Sequence, residues 1–262
     1  MPAVVKTTNR NRVICSRVQS IREIVPSMTP FFFTGIDTDI GKTFATGLAA
    51  RYFHRQGKTV LTQKLVQTGQ CGSLSEDILT HRRLMEIDPL PEDLQQSLPN
   101  GTLTCPYSFA YPASPHLAAE LEQRSIEPDI LTHAAETLKK RFDILLLEGA
   151  GGFLVPLTSD LLTGDYIAQR QYPVILVTSG RLGSINHTLL TVEAIRQRNL
   201  SLVCLVFNRY SSQEHDETIC SSSLEFFRRI CPHVVVLPEV ASDRILDVDF
   251  SCLEQQPPPL RR

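Results

Sequence analysis

At 262 residues, with 42% hydrophobic content and a net charge of −2, the chain holds enough material for one large core or two small ones. A pI near 6.4 gives no basic field for nucleic acid, and no apolar stretch approaches the length that spans a bilayer. The 7 cysteines are odd in number and contain no Cys-x-x-Cys pair, which points to reduced thiols in a cytoplasmic protein and away from a disulfide framework or a zinc site.

Residues 1–27 carry Lys6, Arg10, Arg12, Arg17 and Arg22 against one acid, Glu23, without strong periodicity. Two readings stand. An Arg-rich, acid-poor leader is the pattern of an organellar transit peptide. The favoured reading is a disordered or mis-started leader, because Met28 lies three residues before the first strand-like run. No continuous apolar core of a secretory signal is present.

That first run, Phe31–Thr34, breaks into Gly35-Ile-Asp-Thr-Asp-Ile-Gly-Lys-Thr43. A buried strand, a glycine loop, Lys-Thr and then a helix near Phe44–Arg55 are the parts of a nucleotide triphosphate site. Gly35 and Gly41 let backbone N–H groups turn inward on phosphate, Lys42 adds charge, and the Thr43 hydroxyl can sit on Mg²⁺. The helix beginning there adds its positive dipole end. Five residues separate Gly35 from Gly41, one more than in the common form of the loop.

The second predicted strand, Thr59–Leu65, brings Lys64 to its carboxyl end. Lys64 is either a solvated surface group or a second fixed cation beside the loop, able to stabilise charge on a transferring phosphoryl group. Thr68, four residues on, could hydrogen-bond a substrate. From Cys71 to Pro112 turn formers interrupt the alternation, predicting an insertion over the strand ends that shapes a substrate pocket. Within it a helix near Glu76–Glu86 opens with Asp77, which either complements the helix dipole or ligates a metal.

Helices near Pro115–Gln123 and Asp129–Lys140 lead to the strand Ile144–Glu148. Its terminal carboxylate is followed by Gly149-Ala150-Gly151-Gly152. Glu148 at that tip can face the loop and hold Mg²⁺, while the glycines allow close approach of main chain to phosphate. Asp143 is expected at the opposite end of the sheet. A helix near Asp165–Gln169 and a strand at Val174–Thr178 precede Gly183-Ser-Ile-Asn-His187. There Ser184 is expected as an N-cap, with free N–H groups for a substrate carboxylate and His187 as a structural first-turn residue. A helix at Ile185–Arg198, a strand at Leu202–Phe207, a helix at Gln213–Arg228 and a strand at Val234–Leu237 follow. The Gln255–Pro259 stretch is expected to be exposed and disordered.

The alternation predicts an α/β fold: a single P-loop-type domain over 28–240, with a doubly wound, mostly parallel sheet covered by helices on both faces. Residues 241–262 form a divergent tail.

Together these segments resemble the dethiobiotin synthetases. The carrying motifs are Thr34 to Thr43, Lys64-Leu-Val-Gln-Thr-Gly69, Tyr107 to His116, Glu148 to Gly152 and Leu182 to His187. The five-residue loop spacing is that family's own form. The resemblance implies an ATP- and Mg²⁺-dependent cyclo-ligase, a homodimer acting on small molecules. One amine of 7,8-diaminopelargonate takes up CO₂ as a carbamate, ATP phosphorylates it, and the neighbouring amine closes the ring. By motif position it implies Lys42 and Lys64 as catalytic lysines and Thr43, Asp77 and Glu148 as metal ligands. Thr68 would contact substrate, and the Gly183, Ser184, Ile185, Asn186 turn would reach the substrate carboxylate across the dimer interface. The nucleotide would be held by Asp39, Ile40, Gly41 and Phe44 of the loop, with no catalytic task for Asp39, and by Gly149, Ala150 and Gly151. Asn208, Arg209, Leu237, Pro238 and Glu239 would surround its base. Ile36 and Leu65 depart from the threonine and proline usual at their positions.

Two other P-loop readings compete. An amidating synthetase normally carries a glutaminase domain for which this chain has no room. A partition-type ATPase switch usually has a second lysine early in the loop, where this chain has Asp37.

Overall fold

Phe31, Phe32 and Phe33 are all completely buried, and successive rings enter core layers on opposite faces of one sheet. That alternation, repeated along every central strand, organises the molecule. The structure is a computed structural model that describes residues 30–70, 74–87, 91, 94–95, 97–209, 216–238 and 245–254. The leader, Glu239 and the 255–259 stretch lie outside the described residues.

In chain order, β1 (Phe31–Gly35) leads to α1 (Lys42–Arg55), β2 (Val60–Lys64), β3 (Val66–Thr68) and α2 (Glu76–Met85). Then come β4 (Ser97–Leu98), β5 (Gly101–Thr102), β6 (Tyr107–Phe109), α3 (Pro115–Leu121) and α4 (Pro128–Lys139). The second half holds β7 (Ile144–Gly152), α5 (Thr163–Arg170), β8 (Val174–Ser179) and α6 (Ser184–Gln197). It closes with β9 (Leu202–Asn208), α7 (Glu217–Ile230), β10 (Val234–Leu237) and a 3-10 turn at Ser251–Leu253.

The central sheet has six strands in the order β10-β9-β8-β1-β7-β2, every pair parallel. The six strands predicted from apolar runs are these six. Leu145, Leu147, Leu176 and Phe207 feed one layer, packed by α4 to α7; Leu146, Ile175, Val177 and Val206 feed the other, packed by α1 and the end of α2. Both faces are therefore covered, as a parallel sheet requires. From β1 the chain runs to β2 and returns through β7 on one side, then crosses to β8, β9 and β10 on the other, so the strand order reverses at β1. Ligand sites form at such a reversal, beyond the carboxyl ends of the strands.

The expected Cys71–Pro112 insertion contains α2, an antiparallel β4–β5 pair and β6, which pairs in parallel with β3 just ahead of the insertion. The last helix starts where the Asp216 carboxylate accepts from the Thr218 and Ile219 N–H groups. Past Pro238, Phe250 and Leu253 are fully buried against the α1 layer. Each such burial contributes roughly 1.5–3 kcal/mol. Arg51 of α1, itself buried, pins that segment through Asp247 (2.8 Å) and also holds Glu86 (2.6 Å) at the end of α2.

Candidate active site

The loop from Gly35 to Gly41 rises from the end of β1 and drops into α1. Gly41 has φ 94°, and a side chain there would place Cβ 2.4 Å from the Asn208 amide nitrogen. Both the backbone hand and the space demand glycine. Asn208, at the tip of β9, donates to the Ile40 carbonyl at 3.1 Å and so ties a strand two places away to the loop. No side chain caps α1 and no acid stands in its first turn. Its N–H groups and dipole remain directed at an anion.

Lys42 is buried and reaches back to the Asp37 carbonyl at 3.0 Å. Burial, helped by the neighbouring Lys64 charge, pulls its ammonium down to about 8, against the opposing pull of Glu148, Asp77 and Asp39. Asp37 in turn pairs with Arg181, just ahead of the 183–186 turn.

The centre of the site is Glu148, wholly buried on β7. Its Oε1 accepts from Lys64 Nζ (2.8 Å) and Thr43 Oγ1 (3.1 Å), and its Oε2 lies 2.8 Å from His81 Nε2. Lys64 Nζ also meets Asp77 Oδ2 (2.6 Å) and the Gly149 carbonyl (3.1 Å). Burial alone would raise the Glu148 carboxyl, yet the Lys64 charge and the bonds from His81 and Lys64 hold it well below the usual carboxylate range. Burial would likewise depress Lys64, but Glu148 and Asp77 hold it above its ordinary value. The pair stays ionised.

Sheet register explains the meeting. Lys64 and Glu148 are partners across β2 and β7, on the face covered by α1 and α2. Asp77 and His81, four apart, lie on one side of α2. Ser75 sets the start of that helix, accepting from Ile78 N while its hydroxyl donates to Gln67.

A cavity of about 750 Å³ opens over these groups. Asp39, Gly41, Lys42, Thr43, Phe44, Lys64, Thr68, Asp77, Glu148, Ala150, Gly151, Asn208, Leu237 and Pro238 all line it. Its size suits a nucleotide with a small partner. Among the described residues no group of three or more His, Cys, Asp or Glu is arranged to hold a metal alone. Mg²⁺ in a nucleotide site needs less: one or two carboxylates with phosphate oxygens and water. Thr43 meets Glu148, and Asp77 shares Lys64 with it, so the three bring hard oxygen donors to the wall of one cavity and suit that ion.

Some predicted residues stand apart. Ile40 has its side chain in the core and offers only its backbone. Gly149 is off the cavity wall and acts through its carbonyl. Arg209 pairs with Glu217 and lines a neighbouring groove with Leu246 and Asp247. Gly183, Ile185 and Asn186 line a separate groove with Leu182 and Leu189. Ser184 is not the N-cap. Gly183, at φ 89°, holds that place, because the buried Ser184 hydroxyl is engaged with Ser179 (2.8 Å). Asp143 bonds Thr59 N at the far end of the sheet, as expected.

Sequence reasoning missed His81, Thr80 and Arg83, the last two also on the cavity wall. The i, i+4 spacing from Asp77 was the one signal for His81.

The family described as an AAA domain matches residues 29–241. The ATP-dependent dethiobiotin synthetase BioD 2 of Pasteurella multocida (strain Pm70) is 49% identical over 199 residues, 76% of this chain and 89% of its own length. BioD 2 of Haemophilus influenzae, of the same description, is 50% identical over 179 residues, covering 68% and 90%. The ATP-dependent dethiobiotin synthetase BioD of Chlorobaculum tepidum is 44% identical over 229 residues, covering 87% and 90%.

Proposed function

The chain belongs to the ATP-dependent dethiobiotin synthetase family, and from that premise we propose that its cavity converts 7,8-diaminopelargonate, CO₂ and ATP into dethiobiotin, ADP and phosphate. The observation that carries this reading is the buried Lys64, held at the end of β2 between Glu148 and Asp77 beside the P-loop lysine. A nucleotide site needs Lys42; a second buried cation answers to charge on a second reactant.

One amine attacks CO₂ and loses a proton, giving a carbamate. A carbamate oxygen attacks the γ-phosphorus, and ADP leaves with the bridging electrons. The second amine then attacks the carbonyl, closes the ring and expels phosphate. Lys42 and the N–H groups of α1 hold the polyphosphate, and Lys64 offsets the charge that builds between carbamate and γ-phosphate. Thr43, Asp77 and Glu148 would hold Mg²⁺, which when bound neutralises phosphate charge. Asp39, Gly41 and Phe44, the Ile40 backbone, Ala150 and Gly151 would wrap the phosphates, with Gly149 acting through its carbonyl; Asn208, Leu237 and Pro238 would face the base, with Arg209 in the adjoining groove.

Thr68 would meet the diamine end of the substrate and the 183–186 turn its carboxylate, supplied by the partner in a homodimer. What supports a dimer is an apolar surface at that turn, with Leu182 83% and Leu189 40% exposed. We place the reaction in the cytoplasm, the compartment to which 7 cysteines without a Cys-x-x-Cys pair point; no helix among the described residues is long and apolar enough to cross a membrane. The deciding experiment supplies purified protein with Mg²⁺-ATP, bicarbonate and the diamine. Dethiobiotin and diamine-dependent ADP release are expected; ADP release indifferent to the diamine, with no dethiobiotin, would end the reading.

A further inference from the structure

Lys64 has three N–H bonds and uses all of them, on Asp77, Glu148 and the Gly149 carbonyl. To act on a reactant it must release at least one of these partners. If it leaves Glu148, a fully buried carboxylate loses its nearest cation. Without other anchors that side chain would turn or take a proton.

One anchor does not compete with Lys64. His81 Nε2 sits on the opposite oxygen, Oε2, while Lys64 and Thr43 share Oε1. Both His81 and Glu148 are completely buried. An ionised carboxylate only accepts, so His81 Nε2 must be the donor. Its Nδ1 is buried with no partner among the described residues. The imidazole is therefore not shared with a second carboxylate or carbonyl, and its one bond is spent on Glu148. It also belongs to the helix that carries Asp77, so a single element positions two carboxylates of the site.

We propose that His81 is a positioning residue: by holding Oε2 of Glu148, it keeps Oε1 aimed at Thr43 and the nucleotide while Lys64 turns to the carbamate. The proposal rests on the synthetase reading and deepens it. Outer partners of this kind, when removed, typically cost about 10–100-fold in activity or metal affinity.

The test compares full-length parent, His81→Gln, which keeps an N–H donor at similar reach, and His81→Met, which fills the space without one. Four quantities are read: kcat and KM for dethiobiotin formation, thermal melting, and the Mg²⁺-dependent gain in ADP affinity by calorimetry. For His81→Met we expect folded protein, a kcat lower by about 10–100-fold, an unchanged KM for the diamine and loss of the Mg²⁺-dependent gain. His81→Gln should recover most of both. Parental kcat and ADP affinity in His81→Met would overturn the proposal. So would equal impairment in His81→Gln, or failure of both variants to fold, either of which marks a role in packing alone. Should the parent make no dethiobiotin, the synthetase reading fails, and the ADP measurement still decides the role of His81.

Discussion

Lys64 and Glu148 are register partners at the ends of adjacent parallel strands, with Nζ 2.8 Å from Oε1. Parallel register puts both side chains on one face, so a lysine that the sequence left open between a surface group and a second fixed cation is a buried cation of the site.

Replacing Lys64 should therefore cost stability as well as activity. Leaving a buried carboxylate unpaired costs about 3–5 kcal/mol. Loss of a fixed charge at the reacting group lowers kcat by roughly 10²–10³-fold. For Lys64→Met we expect a melting temperature down by about 10 °C and turnover reduced by at least the lower figure. Turnover equal to the parent in a folded variant would remove Lys64 from the reaction.

Lys42 makes stability depend on pH. Its proton leaves at about 8 in the fold, against 10.5 ordinarily. Between those values the unfolded chain binds more protons than the folded one, so the Lys42 contribution to stability rises with pH. Below pH 8 the buried charge is a constant burden. Lys42→Met should thus be more stable than the parent at pH 7, with the gap closing toward pH 10. A melting difference flat across that range would contradict the assignment.

Gly41 and Asn208 should be coupled. Gly41→Ala meets about 1–2 kcal/mol of backbone cost and the Asn208 amide at 2.4 Å. Adding Asn208→Ala removes the collision and leaves the backbone cost, so the double variant should melt above the temperature that summing the two singles gives. Strict additivity would mean that the contact carries no strain.

Arg51 secures the 245–254 segment. Arg51→Met should lower stability by about 1–3 kcal/mol and move the first site of limited proteolysis into that segment. An unchanged cleavage pattern would show that Phe250 and Leu253 hold it unaided.

The sheet was legible because buried parallel strands read as plain apolar runs; Phe31–Phe33 and Ile144–Leu147 could be little else. The P-loop was legible because its order of glycines, lysine and threonine answers one chemical need. Asp77 and Lys64 each kept two readings, since their meeting depends on how an insertion folds over strand ends. His81 was passed over because its one signal, the i, i+4 spacing from Asp77, acquires meaning only when its partner on β7 is known. Ser184 misled because Gly183 can take the left-handed N-cap conformation that serine avoids. The short pair β3–β6 has only three residues per strand, too few for a period to show.

The strand order carries a consequence for how the protein is made. β7 lies between β1 and β2 but is synthesised after both. A nascent chain that ends before Ile144 has its P-loop and Lys64 but a gap of two strand spacings, about 9.6 Å, where the third strand belongs. Glu148 arrives only with the insertion of that one late strand, and the emerging polypeptide carries both lysines before it has the acid that sets them.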